Sequence, residues 1–138
     1  MKPFHIALLA FCLQISLSGA DKPASPDGWF VDEVWGKVGE LSCLKCHNNS
    51  GEAEDSRFIL RETILLDGTE LQAAHEANFK AFAKMARMKK AGFPPRLLLK
   101  PIGEMDHEGD QVLKPDSTGH AILKAFVQRM EGKTGPLP

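Results

Sequence analysis

Two cysteines and a histidine form the closest group of reactive side chains in this chain of 138 residues. They lie in the run Cys43-Leu44-Lys45-Cys46-His47. Two thiols at this spacing can each form a thioether with one vinyl group of a haem, and the histidine that follows can ligate the iron from one side. The motif therefore predicts one covalent haem c, held by Cys43 and Cys46, with His47 as the proximal iron ligand.

Three other interpretations of the motif compete with haem attachment. A disulfide between Cys43 and Cys46 would leave His47 without a role. A thioredoxin-like redox pair normally follows a strand in an α/β domain, whereas the segment before Cys43 has a helical pattern and the segment after His47 is polar. A zinc site needs a fourth ligand and usually a second cysteine pair, but the one other cysteine, Cys12, lies near the start of the chain. Haem attachment is the favoured interpretation.

The opposite face of the iron needs a ligand from further along the chain. His75 and His120 are expected at helix surfaces, and the methionines other than Met105 lie in helical patterns, where methionine usually fills the core. Met105 and His107 lie in a long loop about sixty residues after His47, from which either side chain could reach the distal face. Spacing alone does not choose between them. The full set of candidates is His75, Met85, Met88, Met105, His107, His120 and Met130.

Helical patterns surround these residues. Apolar side chains recur at helical spacing over about 28–38, from about 69 to Gly92, and from about 117 to Met130. Ser25 is the predicted N-cap of the first helix and Asp116 that of the last. The second should open with a capping box formed by Thr69 and Gln72.

The segments between the helices are polar or broken by proline. Residues 48–56 and 102–115 read as loops, Pro94 and Pro95 interrupt the chain, and residues 58–66 could be either extended or a short helical turn. No segment alternates cleanly between apolar and polar residues, as a half-buried strand would. The predicted fold class is therefore mostly α, a small helical domain wrapped round one haem.

The charge balance and composition exclude several classes of protein. Seventeen Lys and Arg oppose eighteen Asp and Glu, for a net charge of −1, and no basic run occurs, so a nucleic-acid partner is not expected. The hydrophobic fraction of 43% is that of an ordinary globular domain. Aromatic residues make up only 7%, so we expect a haem to supply a large apolar disc at the centre of the core.

The first twenty residues have the features of a secretory signal. Lys2 precedes an apolar run over residues 4–17, and Ser18-Gly19-Ala20 offers the small residues that signal peptidase needs. The run is too short to span a bilayer, which takes about 20 apolar residues. We predict cleavage after Ala20. The alternatives are a retained N-terminal anchor and a lipid on Cys12, for which the bulky neighbour Phe11 is unsuited.

This organisation divides the chain into four parts. Residues 1–20 are the predicted signal peptide, 21–27 a linker, 28–132 the cytochrome c-like domain and 133–138 a C-terminal tail. The mature protein is expected to be exported, to the periplasm or the exterior, with no membrane span after cleavage.

The second half of the chain resembles a known family. Residues 96–109 read RLLLKPIGEMDHEG, and they are followed by VLKPDS at 112–117 and by Ile122-Leu123. With the haem motif, this pattern resembles the cytochrome c-like domains of exported planctomycete proteins, over about Trp29 to Met130. That family carries a downstream "LLxK…G…HxGG" signature, and Asp110 stands where its second glycine would be. The resemblance implies that His107 is the distal iron ligand, in the place where ordinary class I cytochromes c have methionine.

Three functional classes follow from these features. The favoured function is that of an exported monohaem cytochrome that carries single electrons to and from redox partner proteins, is not an enzyme, and has a lower reduction potential than a Met/His pair would give. The alternative is a five-coordinate haem enzyme or sensor in which His107 acts as a distal base. The third class is an interaction module without haem, in which Cys43 and Cys46 are bridged. If iron resembles zinc, bis-histidine ligation predicts near nitrogens of His47 and His107 about 4 Å apart.

Overall fold

Four helices and the loops between them make up the part of the chain that the computed structural model describes, residues 24–133. Helix α1 spans Phe30–Cys43, α2 Gly68–Arg87, α3 Arg96–Leu99 and α4 Thr118–Met130, and a 3₁₀ turn, Lys100–Ile102, follows α3 directly. These residues contain no strand, which confirms the mostly α class. Within the same range, no helix is both long and apolar enough to cross a membrane. The predicted signal segment, Cys12 included, lies outside the described residues, as do residues 21–23 and 134–138.

The first helix is capped by Asp27 and not by Ser25. The Phe30 backbone N–H donates to Asp27 Oδ1 at 2.9 Å, and residues 28 and 29 are already helical. An aspartate that accepts from a first-turn N–H is a favourable N-cap, because the first N–H groups of a helix have no partner within it. The Asp27 carboxylate also pairs with Arg129 near the end of α4.

Helix α1 runs to Cys43 and does not end near residue 38 as predicted. It is wound in the wider π form: the Leu44 N–H donates to the Gly39 carbonyl, five residues back, at 2.8 Å. A Cβ on Gly39 would lie 2.6 Å from the Trp35 ring, so this glycine permits close packing against a buried indole. Because the helix is longer than expected, Cys43 is part of it.

Helix α2 begins one residue before the predicted capping box. Asp67 is extended, with ψ at 174°, and Gly68 is the first helical residue. Thr69 therefore already lies within the first turn, where it cannot act as an N-cap. The capping box of Thr69 and Gln72 was a wrong prediction.

Helix α2 also ends five residues before Gly92, the predicted stop. Met88 leaves the helical conformation, with ψ at 93°, and its carbonyl accepts from the Arg96 N–H at 2.8 Å. Gly92 instead turns the chain with φ at +79°, a conformation that favours glycine. This turn directs the chain into α3.

Residues 103–117 form a closed loop that carries His107, here called the His107 loop. The later part of the loop returns to the residues just before it. The Pro101 carbonyl accepts from the N–H groups of Val112 at 3.0 Å and Leu113 at 2.8 Å. We call this contact the neck. A compact loop whose ends lie side by side holds its tip in a defined place.

Ser117, and not Asp116, caps α4. The His120 backbone N–H donates to Ser117 Oγ at 3.4 Å. Asp116 has a positive φ of 58°, and its carboxylate pairs instead with Lys124 at 2.6 Å. The prediction of a helix here was therefore sound, but the cap was placed one residue early.

The core forms where α4 packs against each of the other three helices. Phenylalanine rings fill it: Phe30 lies 5.1 Å from Phe79 and 5.9 Å from Phe82, and Phe58 lies 5.0 Å from Phe82, between ring centres in edge-to-face arrangements. Such pairs add stability beyond the area they bury. The phenylalanines of this core are concentrated in one cluster.

Residues 58–63 run extended beside α2, without forming a strand. Asn78 of α2 is fully buried; its Oδ1 accepts from the Arg61 N–H at 2.8 Å and its Nδ2 donates to the Arg61 carbonyl at 2.9 Å. This paired contact satisfies both backbone groups of Arg61, as a neighbouring strand would. It fixes the position of Phe58 and Leu60 against the core.

Candidate functional site

The motif begins on the last residue of α1 and continues through a tight turn. The N–H groups of Cys46 and His47 both donate to the Cys43 carbonyl, at 3.3 Å and 3.1 Å. Residues three and four positions apart on a helical turn lie on the same side of it. The turn therefore brings the two thiols and the imidazole to one side of the end of α1.

The two thiols have different surroundings. Cys43 is buried, and burial raises the pKa of its thiol to about 12. Cys46 is half-exposed, with its Sγ 3.9 Å from a carboxylate oxygen of Glu52. Both cysteines are free thiols in the structure. A nucleophilic redox cysteine requires a lowered pKa, so the environment of Cys43 does not favour the thioredoxin-like alternative.

The loop after the motif folds back over it. The Ala53 N–H donates to the Cys46 carbonyl at 3.0 Å, and the Leu60 N–H donates to the His47 carbonyl at 2.7 Å. A Cβ on Gly51 would lie 2.3 Å from the Cys46 carbonyl oxygen, so only glycine allows this approach. The predicted polar loop is thus a fixed cover that holds the backbone of the motif.

Ser56 fixes the orientation of the His47 ring. Its hydroxyl donates to the Phe58 carbonyl at 3.1 Å and lies 3.1 Å from His47 Nδ1. Once its hydrogen is given to that carbonyl, the hydroxyl oxygen can only accept from His47, so Nδ1 carries the proton and Nε2 presents a free lone pair. The Phe58 ring packs against the imidazole at 5.0 Å between centres. His47 is therefore held, half-buried, in the tautomer that a metal ligand needs.

His107 is held in the same tautomer by a different contact. Its Nδ1 lies 2.9 Å from the Asp110 carbonyl oxygen, which can only accept, and the Asp110 N–H donates back to the His107 carbonyl at 2.8 Å. Asp110 adopts φ of +52° to close this turn. A Cβ on Gly109 would lie 3.3 Å from the imidazole. The turn therefore leaves Nε2 of His107 free, as Ser56 does for His47.

The two imidazoles lie together at the edge of the core. Their ring centres are 6.1 Å apart and their planes differ by 17°. A separation of this size leaves room for one metal ion between the two imidazoles, with metal–nitrogen bonds of about 2 Å. The contact joins residues 60 positions apart in sequence, which the motif alone could not place.

The electrostatics of the site favour a neutral His47 ring. Burial lowers the pKa of His47, the charge of His107 lowers it further and Lys100 adds a smaller effect in the same direction, while the Phe58 backbone opposes them. Metal ligation requires the neutral imidazole. The Lys100 ammonium is itself held near the site, because it donates to the Asp106 carbonyl in the His107 loop at 2.8 Å.

The other candidate iron ligands lie in the core, on the helices and in the His107 loop. Met85 and Met130 are buried in the core, as expected of core-filling methionines, and Met88 packs against it. Met105 is half-buried in the His107 loop and His75 half-buried on α2. His120 is buried, 5% exposed, so its predicted surface position was wrong. The ring turns inward because its Nδ1 accepts from the Asp116 N–H at 3.2 Å.

Three residues that shape the site had no clear signal in the sequence. Ser56 lies in a polar loop where several serines and acids look alike, and the sequence does not distinguish Lys100 from the other lysines. Asp110 stood out as a departure from the family signature, which is the one sign that its backbone matters. Their roles depend on contacts across the fold.

Within residues 24–133, no group of three or more His, Cys, Asp or Glu side chains converges on a shared metal-binding point. The histidines of the site are His47 and His107, and His47 directly follows Cys46 in the chain. Comparisons of the chain with models of protein families, with curated proteins and with solved structures found no match.

Proposed function

We propose that this chain is an exported monohaem c-type cytochrome that carries single electrons between redox partner proteins. The observation that carries the proposal is the pairing of His47 with His107, 6.1 Å apart between ring centres, beside the Cys43-Leu44-Lys45-Cys46-His47 motif. The motif suggests covalent attachment, and the two imidazoles would be the residues that hold the iron. No substrate site is needed, so the proposed role is that of a carrier and not of an enzyme.

The roles of the residues follow from their contacts. Cys43 and Cys46 would hold a covalent haem c, whose iron supplies a one-electron couple when bound. His47 and His107 would ligate the two faces through their free Nε2 atoms. Ser56 and the Asp110 carbonyl hold the proton at each Nδ1, which orients both rings and sets how strongly they donate electrons. Phe58 keeps water from one side of His47.

The test replaces His107 in the mature protein, made in a host that attaches c-type haem. Mass spectrometry should show one covalent haem and a start at Asp21. The ferric wild type should have a low-spin absorption spectrum, and His107→Ala should convert it to high-spin, because one axial ligand is lost. The matched control is Met105→Ala in the same loop, which should stay low-spin.

The other possible outcomes either identify a different distal ligand, support a different function or overturn the proposal. If Met105→Ala becomes high-spin and His107→Ala does not, the distal ligand is Met105. A high-spin wild type supports the five-coordinate enzyme or sensor. Colourless protein from a host with competent haem attachment overturns the proposal, and a Cys43–Cys46 disulfide in that protein supports the module without haem.

A further inference from the structure

His120 is a buried histidine outside the candidate site. It lies in the first turn of α4 and is only 5% exposed. Its Nδ1 accepts from the Asp116 N–H at 3.2 Å, and its own backbone N–H is held by Ser117 Oγ. The ring is thus held at Nδ1 and the backbone of the same residue at its N–H, and neither the core nor the pair of His47 and His107 accounts for the ring.

The ring lies where the two sides of the His107 loop leave the helices. Asp116 is on the side that enters α4, while the Leu98 backbone of α3, on the side that leads into the loop, lies close enough to affect the charge of the ring. The neck at Pro101 lies between these points and the tip that carries His107. His120 therefore joins the outgoing side of the loop to α4, and α3 packs on α4.

The ring is neutral in this position. Because Nδ1 accepts from an N–H, the proton must be on Nε2, which is buried and has no hydrogen-bond partner among the described residues. Four groups face it from the packed elements. Burial and Lys124 of α4 lower the pKa of His120, while Asp116, the Leu98 backbone and Glu104 of the His107 loop oppose this shift.

We propose that His120 is a positioning residue for His107: its neutral imidazole accepts from Asp116, joins the outgoing side of the His107 loop to α4, and so holds His107 near His47. The effect of His120 on iron ligation by His107 rests on the proposed function. Its effect on the position of the His107 loop does not. Loss of the acceptor at Nδ1 frees Asp116, and the outgoing side of the loop then moves independently of α4.

The test compares two substitutions in the mature protein. His120→Leu fills the buried space with an apolar side chain but removes the acceptor. His120→Asn retains an acceptor oxygen at the position of Nδ1. Amide hydrogen exchange over residues 103–117 should quicken about tenfold in His120→Leu and stay within about twofold of the wild type in His120→Asn, because exchange reports local opening. Unfolding by urea establishes that both variants are folded.

A second readout uses the haem. Imidazole added to the ferric protein competes with His107, so its apparent affinity rises in proportion to the open loop, by about tenfold in His120→Leu and not in His120→Asn. Unchanged loop exchange in His120→Leu overturns the inference, and so does an equal rise in both variants, which would show that packing alone matters. If the loop responds as expected in protein that carries no covalent haem, the positioning role stands and the proposed function fails. If His107→Ala alters the spectrum while His120→Leu alters neither readout, the proposed function stands and this inference fails.

Discussion

At the scale of single residues, the Ser56 hydroxyl decides which nitrogen of His47 carries the proton. The Ser56 hydroxyl donates its hydrogen to the Phe58 carbonyl. With that hydrogen used, the imidazole is the donor in the contact between His47 Nδ1 and Ser56 Oγ. A hydrogen-bonded Nδ1–H makes an imidazole a stronger donor to a metal, and loss of such a partner typically costs about 10–100-fold in metal affinity.

Ser56→Ala should therefore raise the reduction potential of the haem-loaded protein. The ferric form depends more on a strongly donating imidazole, and each tenfold loss confined to that form corresponds to about 59 mV. Spectroelectrochemical titration measures the shift. Ser50→Ala, at an exposed serine in the same loop, is the control, and an equal shift in both variants would contradict a specific role for Ser56.

Asp110 is one of two residues other than glycine with a positive φ among residues 24–133. It occupies the left-handed region, with φ of +52°, where residues with a side chain are strained. Asp110→Gly should stabilise the protein by about 0.5–1 kcal/mol, because the strain is relieved. Urea unfolding measures this, with Asp110→Ala as the control that keeps the strain. A destabilised Asp110→Gly would show that the aspartate side chain has a role of its own.

At the scale of elements, the loop 48–57 acts as a cover for the end of α1. It provides the N–H of Ala53 to the Cys46 carbonyl, which lies in the turn that follows α1. Gly51 makes this possible because a Cβ there would meet that same carbonyl oxygen at 2.3 Å.

Gly51→Ala should accordingly destabilise the fold by about 1–3 kcal/mol, since the backbone must shift to make room. Gly28→Ala is the matched control, because a Cβ at Gly28 meets nothing within 4 Å. Thermal or urea unfolding of both variants checks the difference. If Gly51→Ala loses no more stability than the control, the cover does not hold the motif in the way described.

The sequence predicted which segments are helical better than where they begin and end. Apolar spacing reports a buried face, and that face is present in α1, α2 and α4. The caps were misplaced because Asp27 and Ser117 each compete with a neighbour, Ser25 and Asp116, that has a similar intrinsic preference. Only the tertiary contacts decide between them: Arg129 holds Asp27, and Lys124 draws the Asp116 carboxylate away.

The sequence likewise predicted only some of the residues of the candidate site. Two thiols and a histidine in sequence were visible as a motif because chemistry requires that spacing. The proximity of His107 came from a resemblance, and the ligand roles of both histidines stay predictions. Ser56 was not predicted as a contributor, and His120, one of the candidate ligands, was expected at a helix surface. A serine in a polar loop and a histidine near a helix start have no local signal that reports long-range contacts.

At the scale of the whole molecule, acid should weaken the fold. Burial lowers the pKa of His120, so the native state favours the neutral ring, while the unfolded chain takes up a proton near pH 6.5. The stability that His120 contributes is present above that pH and is lost as the pH falls towards its lower native pKa.

Unfolding free energies measured from pH 8 to pH 5 should therefore fall more steeply in the wild type than in His120→Asn, which has no proton to take up there. His47, whose pKa is also lowered by burial, contributes in the same direction in both proteins. Parallel curves would show that His120 does not titrate on unfolding.

A second whole-molecule feature is the contact between the first and last helices at their outer ends. Asp27 caps α1 and pairs with Arg129 of α4, whose guanidinium also lies over the Trp29 ring at 4.7 Å. Asp27→Ala should cost about 1–2 kcal/mol, as the cap and the ion pair are both lost. Asp27→Asn keeps a capping oxygen and should cost less than about 1 kcal/mol. Equal losses in urea unfolding would assign the whole effect to charge.

The same contact makes a circular permutation of the chain feasible. Because the start of α1 touches the finish of α4, a short peptide bridge could join the two, and new termini could be opened at the turn of Ile64 and Leu65, which are 80% and 93% exposed. Circular permutation succeeds at such exposed loop tips. A permuted chain would keep the motif and the His107 loop on one uninterrupted stretch, with fusion points placed elsewhere on the surface.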